Sequence, residues 1–130
     1  MASTTAPIAT QHAIAAAKSI LLDVFNERDP EKRLSAMHRW YSPNISFYDS
    51  ENFVHGDFEK ISEIAGNLLQ MNPSDDFVPE KRMHVVANMA MLDWTWGHVK
   101  GGDVFVFDQD GKVEQHWVRV NGLSDVSLEV

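Results

Sequence analysis

The sequence contains no cysteine. That excludes a disulfide framework, a thiolate zinc site and a cysteine nucleophile. Basic residues are scarce: 11 Lys and Arg stand against 19 Asp and Glu, a formal net charge of −8. Phosphate backbones and anionic membrane surfaces attract a basic face, so neither a nucleic acid nor a membrane is an expected partner. No stretch approaches the ~20 apolar residues of a membrane span. Met1 to Thr10 lacks the basic start and apolar run of a secretory signal, so the expected location is cytoplasmic. Gly-rich phosphate loops and Gly-x-Ser-x-Gly turns are missing. The six histidines include no His-Glu-x-x-His spacing, and neither a metal nor a cofactor is expected. Lys32-Arg33 and Lys81-Arg82 each adjoin a Glu and read as solvated ion pairs.

What is present is ordinary globular composition, 44% hydrophobic over 130 residues. That length supports one domain, residues 1–130, with a core that needs no covalent staple. Residues 1–7 are small and polar and are expected to fray. Ile14, Ala17, Ile20, Leu21, Val24 and Phe25 recur at spacings of three and four, which predicts a first helix ending near residues 26–29. Asp29 followed by Pro30 is an N-cap with proline in the first turn, opening a second helix that carries Leu34, Met37, His38 and Tyr41 on one face. Ser42-Pro43 ends it. Residues 45–49 and 53–55 read as short strands. Asp57 then caps a third helix with Phe58, Ile61, Ile64, Ala65, Leu68 and Leu69 along its apolar face. After the loop 72–76 the pattern turns to strands at 81–87, 89–99, 104–107 and 112–120. Gly101-Gly102 is expected to be a two-residue hairpin, and residues 108–111 a second turn. Helices followed by a run of antiparallel strands imply an α+β fold, helices covering one face of a sheet.

Several local motifs stand in a telling order: Phe25-Asn26-Glu27-Arg28-Asp29, Trp40-Tyr41-Ser42-Pro43-Asn44 leading into residues 45–49, His55-Gly56-Asp57, and Asp103 to Phe107 followed by Asp110-Gly111-Lys112-Val113 and Glu114-Gln115-His116-Trp117. Over roughly residues 12–120 this order resembles the nuclear transport factor 2-like (NTF2-like) superfamily, in its branch of SnoaL-like polyketide cyclases and ketosteroid isomerases. The resemblance implies an α+β cone in which a strongly curved, mostly antiparallel sheet packs against three helices around a blind apolar pocket. It does not imply one function, because the fold hosts isomerases, cyclases, dehydratases, hydrolases and binding modules.

Three ionisable residues are candidates for chemistry in such a pocket. Asp49 shares strand parity with Ile45 and Phe47, the inward side. Its position matches the strand-end Asp that shuttles a proton in ketosteroid isomerases, a general-base role. Equally, Asp49-Ser50-Glu51-Asn52 is turn-like, and the carboxylate would then cap its own turn. Asp103 shares a face with Phe105 and Phe107. The resemblance gives it the role of a neutral acid donating a hydrogen bond to the substrate oxyanion; the competing reading puts it at the hairpin tip, paired with Lys100 in solvent. His116 shares parity with Val118 and Val120, facing the pocket as a second acid or base, or is simply a histidine bonded into the wall. Two departures from the family pattern stand out. His116-Trp117 is followed by Val118 where SnoaL-like cyclases carry Asp, and Leu21 occupies the position of the isomerase oxyanion Tyr.

Trp40, Phe47, Trp94, Trp96, Phe105 and Val118 are the expected substrate-binding wall, although tryptophans in such patterns serve as plain core at least as often. Met83, Met89 and Met91 fit either interior filling or a dimer interface. Two functions follow. The first is a cofactor-independent isomerase, cyclase or dehydratase acting on an apolar polyketide-, terpenoid- or steroid-like molecule, as a homodimer. The second is a non-catalytic ligand-binding or dimeric interaction module of the same fold.

Overall fold

The computed structural model describes residues 7–128; of the expected frayed segment, residues 1–6 lie outside that range. Helix α1 (Thr10–Ser19) runs into a π-helical segment, Ile20–Phe25, followed by α2 (Pro30–Trp40), β1 (Tyr41–Tyr48), β2 (Phe53–His55), α3 (Phe58–Met71), β3 (Phe77–Val86), β4 (Met89–Trp96), β5 (Val99–Phe107) and β6 (Val113–Val120). The six strands form one curved sheet in the order β2-β1-β6-β5-β4-β3. β1 and β6 run parallel, and every other pairing is antiparallel. The helices cover the inward face, where Ala13, Ala17 and Ile20 pack into one core with Ala90, Leu92, Phe105 and Phe107. This is the expected α+β architecture.

Local chemistry sets the helix starts. The Asp29 side chain accepts from the amide of Glu31 with Pro30 in the first turn, and the Asp57 side chain accepts from that of Lys60. Each satisfies an amide that the helix itself leaves unpaired. The joint after the first helix is held from a distance. Asn26 Nδ2 donates to the Phe77 carbonyl at 2.8 Å, and Asn26 Oδ1 accepts from the Phe77 amide at 2.7 Å. One side chain thereby satisfies both backbone groups at the start of β3. The π-helical segment shows the wider i→i−5 bond from the Asn26 amide to the Leu21 carbonyl.

Three expectations are corrected. The second helix stops at Trp40, and Tyr41 opens β1 opposite Val113. The β4–β5 turn lies at Gly97-His98 rather than Gly101-Gly102: Trp96 pairs with Val99, and Gly97 supplies the positive φ of 59° that a tight turn needs. Gly101 and Gly102 are instead interior to β5 because both faces of the sheet are crowded there. A Cβ at Gly101 would stand 2.6 Å from Trp94 Cη2 on the inward side, and one at Gly102 would strike the Arg119–Asp93 ion pair on the outward side. Arg33 is not solvated. It is 4% exposed, and it donates from Nη1 to the Ser62 carbonyl (2.7 Å) and Oγ (3.0 Å) and from Nε to the Glu27 carbonyl (3.0 Å), tying α2 to α3. Burial pulls its guanidinium below the ordinary arginine value, and Glu27 and Asp29 oppose that pull. The methionines, for which two readings stood open, divide between them: Met83 pairs with inward-facing Leu92 and packs on the core, whereas Met89 and Met91 lie on the outward face.

Candidate functional site

Between the inward face of the sheet and the helical layer lies a cavity of about 290 Å³. Its wall is mostly apolar: Leu21 and Phe25 from the π-helical segment, Phe47 from β1, Phe77 from β3, and Trp94 and Trp96 from β4. A π turn pushes its side chains out of ordinary helical register and recurs at functional sites; here it directs Leu21 and Phe25 to the cavity. Trp94 spans toward β5 because Gly101 leaves it room, and the Phe77 ring meets it edge-on at 4.8 Å and stacks on Trp96 at 4.9 Å. The exposed lining residues Ser50, Glu51, Met71 and Leu123 form the mouth. Ser50 Oγ and Ser124 Oγ lie 3.2 Å apart beside it and join the β1–β2 turn to the segment after β6.

Asp103 enters this wall from the middle of β5, between Leu92 of β4 and Val118 of β6. At 4% exposure it is not at a hairpin tip, and Lys100 pairs with Thr95 instead. The misplacement followed from the glycines: once the turn sits at Gly97, residue 103 falls at mid-strand with inward parity.

His116 stands behind Asp103, fully buried and not itself a lining residue. Its Nε2 lies 3.4 Å from Asp103 Oδ1. That is longer than a well-formed N–H···O bond, and Nε2 has no hydrogen-bond partner among the described residues. On its other side, Nδ1 is 2.7 Å from the Tyr41 hydroxyl. The rings of Phe25, Phe47 and Phe105 enclose the imidazole at centroid distances of 5.7, 5.1 and 4.5 Å. Burial pushes the Tyr41 phenol well above its ordinary range, and the charge of Asp103 adds to the rise. Tyr41, His116 and Asp103 thus form a buried row of polar side chains, and Asp103 is the member that reaches the cavity.

Asp49 lies just past the end of β1 and lines the mouth. Its Oδ1 accepts from the amides of Glu51 (2.8 Å) and Asn52 (2.6 Å) and from Asn52 Nδ2 (3.0 Å); its Oδ2 lies 3.1 Å from the same Nδ2. This is a carboxylate capping its own turn, so its lone pairs are engaged before any substrate arrives. Of the expected wall, Phe47, Trp94, Trp96 and Val118 line the cavity. Phe105 lies beneath it against His116. Trp40 is elsewhere, edge-on to His12 at 5.6 Å and under the Arg39 guanidinium at 5.0 Å.

Sequence reading missed Tyr41. It shares parity with Ile45 and Phe47, which was the available signal, but Pro43 between them reads as a break. The irregularity in the β1–β6 register between Tyr41 and Ser46 accommodates that proline. Among the described residues no three His, Asp or Glu side chains gather as a metal ion would need, and no helix is long and apolar enough to cross a membrane.

No protein-family model matches the chain, and no curated protein matches it. Solved structures do. A protein from Agrobacterium tumefaciens, provisionally assigned as an isomerase of the SnoaL-like family, superposes with a TM-score of 0.76 at 18% identity, over 87% of this chain and 100% of that one. A SnoaL-like protein of unknown function from Burkholderia thailandensis gives 0.70 at 16% identity, over 89% and 100%. An LEH-like epoxide hydrolase from M. tuberculosis gives 0.58 at 14% identity, over 86% and 84%. Identities of this size establish the fold and leave the chemistry to the site.

Proposed function

On the SnoaL-like, NTF2-like fold, we propose that this protein is a cofactor-independent acid–base enzyme acting on an apolar small molecule. Asp103 is the group that takes a proton from the substrate, and His116 stands behind it. The observation that carries this reading is the near-complete burial of the Asp103 carboxylate in the wall of an otherwise apolar cavity. A buried carboxylate is costly unless something repays it, and a catalytic role is the reason the site offers. Trp94, Trp96, Phe77 and Phe25 provide flat surfaces for a planar ring, and the volume is near the lower end for drug-sized ligands. Isomerisation, cyclisation and dehydration of polyketide-, terpenoid- or steroid-like molecules all move a proton beside a carbonyl, which one buried carboxylate can do.

The test needs no known substrate. Apolar cyclic ketones that bind, as read from quenching of tryptophan fluorescence, should exchange the hydrogen beside their carbonyl for deuterium faster with protein than without when placed in D2O. Mass spectrometry reads the exchange. Binding without accelerated exchange across the panel would favour the second reading, a ligand carrier. One observation points that way: Asp49, a second carboxylate at the cavity, is already engaged by its turn.

We also infer a homodimer through the outward face of the sheet. Strand register there sets Phe53, Tyr48, Trp117, Val104 and Met91 side by side across five strands. The three rings stack at 4.9 and 3.9 Å while Phe53 remains 65% and Trp117 44% exposed. Such an apolar row is the kind of surface that marks an interface. Light scattering on the eluting protein should give twice the 14.7 kDa chain mass, and Trp117→Lys should give the monomer. A monomeric parent chain would refute the dimer.

A further inference from the structure

We infer that Tyr41 is a positioning residue that locks His116 in its Nε2–H tautomer, so that the ring turns a donor toward Asp103, which works as a base rather than as an acid. The inference deepens the acid–base reading and rests on it for its catalytic meaning. Its structural core does not.

Tyr41 is 1% exposed, and the one hydrogen-bond partner of its hydroxyl among the described residues is His116 Nδ1 at 2.7 Å. A neutral phenol carries one hydrogen and, when buried, must donate it. The available acceptor is Nδ1. A neutral imidazole has one donor and one acceptor nitrogen, so a hydrogen bond into Nδ1 places the ring proton on Nε2. Nε2 faces Asp103 Oδ1 at 3.4 Å. The reverse arrangement would put a proton on Nδ1 and turn the Tyr41 hydrogen toward no acceptor, leaving a buried O–H unsatisfied. The titratable groups that face the ring are Tyr41 from β1 and Asp103 from β5, and phenylalanines from the π-helical segment, β1 and β5 enclose the rest. The logic is that of a catalytic triad, in which a third residue chooses which ring nitrogen holds the proton. It also reverses the role that family resemblance assigns to Asp103, that of a protonated donor.

Protein labelled with 15N-histidine tests this without a substrate. Long-range proton–nitrogen correlation of the His116 ring, assigned by its disappearance in His116→Asn, should show Nε2 protonated and Nδ1 unprotonated from pH 6 to 8. A proton on Nδ1, or on both nitrogens, overturns the inference. In Tyr41→Phe a fraction of the ring should adopt the opposite tautomer, protonated on Nδ1, and the Nδ1 resonance should move toward that of a protonated nitrogen; an unchanged ring spectrum would likewise overturn it. Should Tyr41→Phe fail to fold, the parent spectrum decides alone. On a ketone that undergoes exchange, Tyr41→Phe should lower kcat by ~10-fold or more with little change in KM, as expected when the wrong tautomer is populated. The acid–base reading fails separately: if Asp103→Asn left exchange intact, the enzyme assignment would fall while the tautomer result stood.

Discussion

Replacing Asp103 by Asn is expected to lower proton exchange by ~10²-fold or more, the usual scale for loss of a general base. That corresponds to about 2.7 kcal/mol of transition-state stabilisation. Asparagine has the same shape and keeps a carbonyl oxygen for His116 Nε2, so the cavity volume and the packing against Leu92 and Val118 should survive. Ligand affinity should therefore change little while turnover collapses. The measurement pairs a binding titration, followed by tryptophan fluorescence, with deuterium incorporation on the same ketone. Full exchange by the variant would remove Asp103 from the mechanism. Loss of exchange in Asp49→Asn alone would move the base to the mouth of the cavity. The geometry argues against that outcome, because both Asp49 oxygens already hold the β1–β2 turn.

Gly101→Ala is expected to destabilise the fold by about 3 kcal/mol, the upper part of the range for overpacking a core. The new methyl would meet the Arg119 backbone carbonyl and the Trp94 ring, with Cζ2 at 2.8 Å. A backbone carbonyl in a paired strand cannot rotate aside, and Trp94, 3% exposed against Phe77, has nowhere to go. The midpoint of thermal unfolding should fall by about 10 °C for a chain of this size. The neighbouring Gly102→Ala is the control. Its methyl would meet the ends of Arg119 and Asp93, whose side chains are 48% and 60% exposed, and would stand 3.2 Å from the Leu92 carbonyl, a tight contact but not a collision. Those ends can swing into solvent, and a surface ion pair is worth at most about 1 kcal/mol. Its cost should stay within about 1 kcal/mol. Equal effects at the two glycines would contradict the placement of the tryptophan on one face and the ion pair on the other. Because Trp94 lines the cavity, Gly101→Ala should also weaken ligand binding.

The short-range features were legible in the residues. Asp29-Pro30 and Asp57 start helices because a cap is satisfied within three residues of itself. The apolar face of α3 follows from spacings of three and four, and Phe53–His55 is a strand as expected. The α+β order followed from these, and the inward parity of Phe47 and Val118 from alternation alone. Asp49 was readable in both senses, since the turn motif that caps it is written in four consecutive residues.

What the sequence by itself determined, then, is where the chain is helical or extended and which side of each strand is apolar, because those preferences act over a few residues. Only the tertiary structure decided which glycine turns the chain. Gly97 and Gly101-Gly102 carry similar local signals, and the choice fell to Trp94 on one face and Arg119 with Asp93 on the other, partners that a local pattern does not see. The same is true of Arg33, whose charge reads as solvated until Ser62, 29 positions away, receives it. Tyr41 and His116 are 75 positions apart. Their contact exists because β1 lies parallel to β6, a pairing between distant segments that no local propensity encodes, and that pairing brings a phenol, an imidazole and a carboxylate into one row beside the cavity.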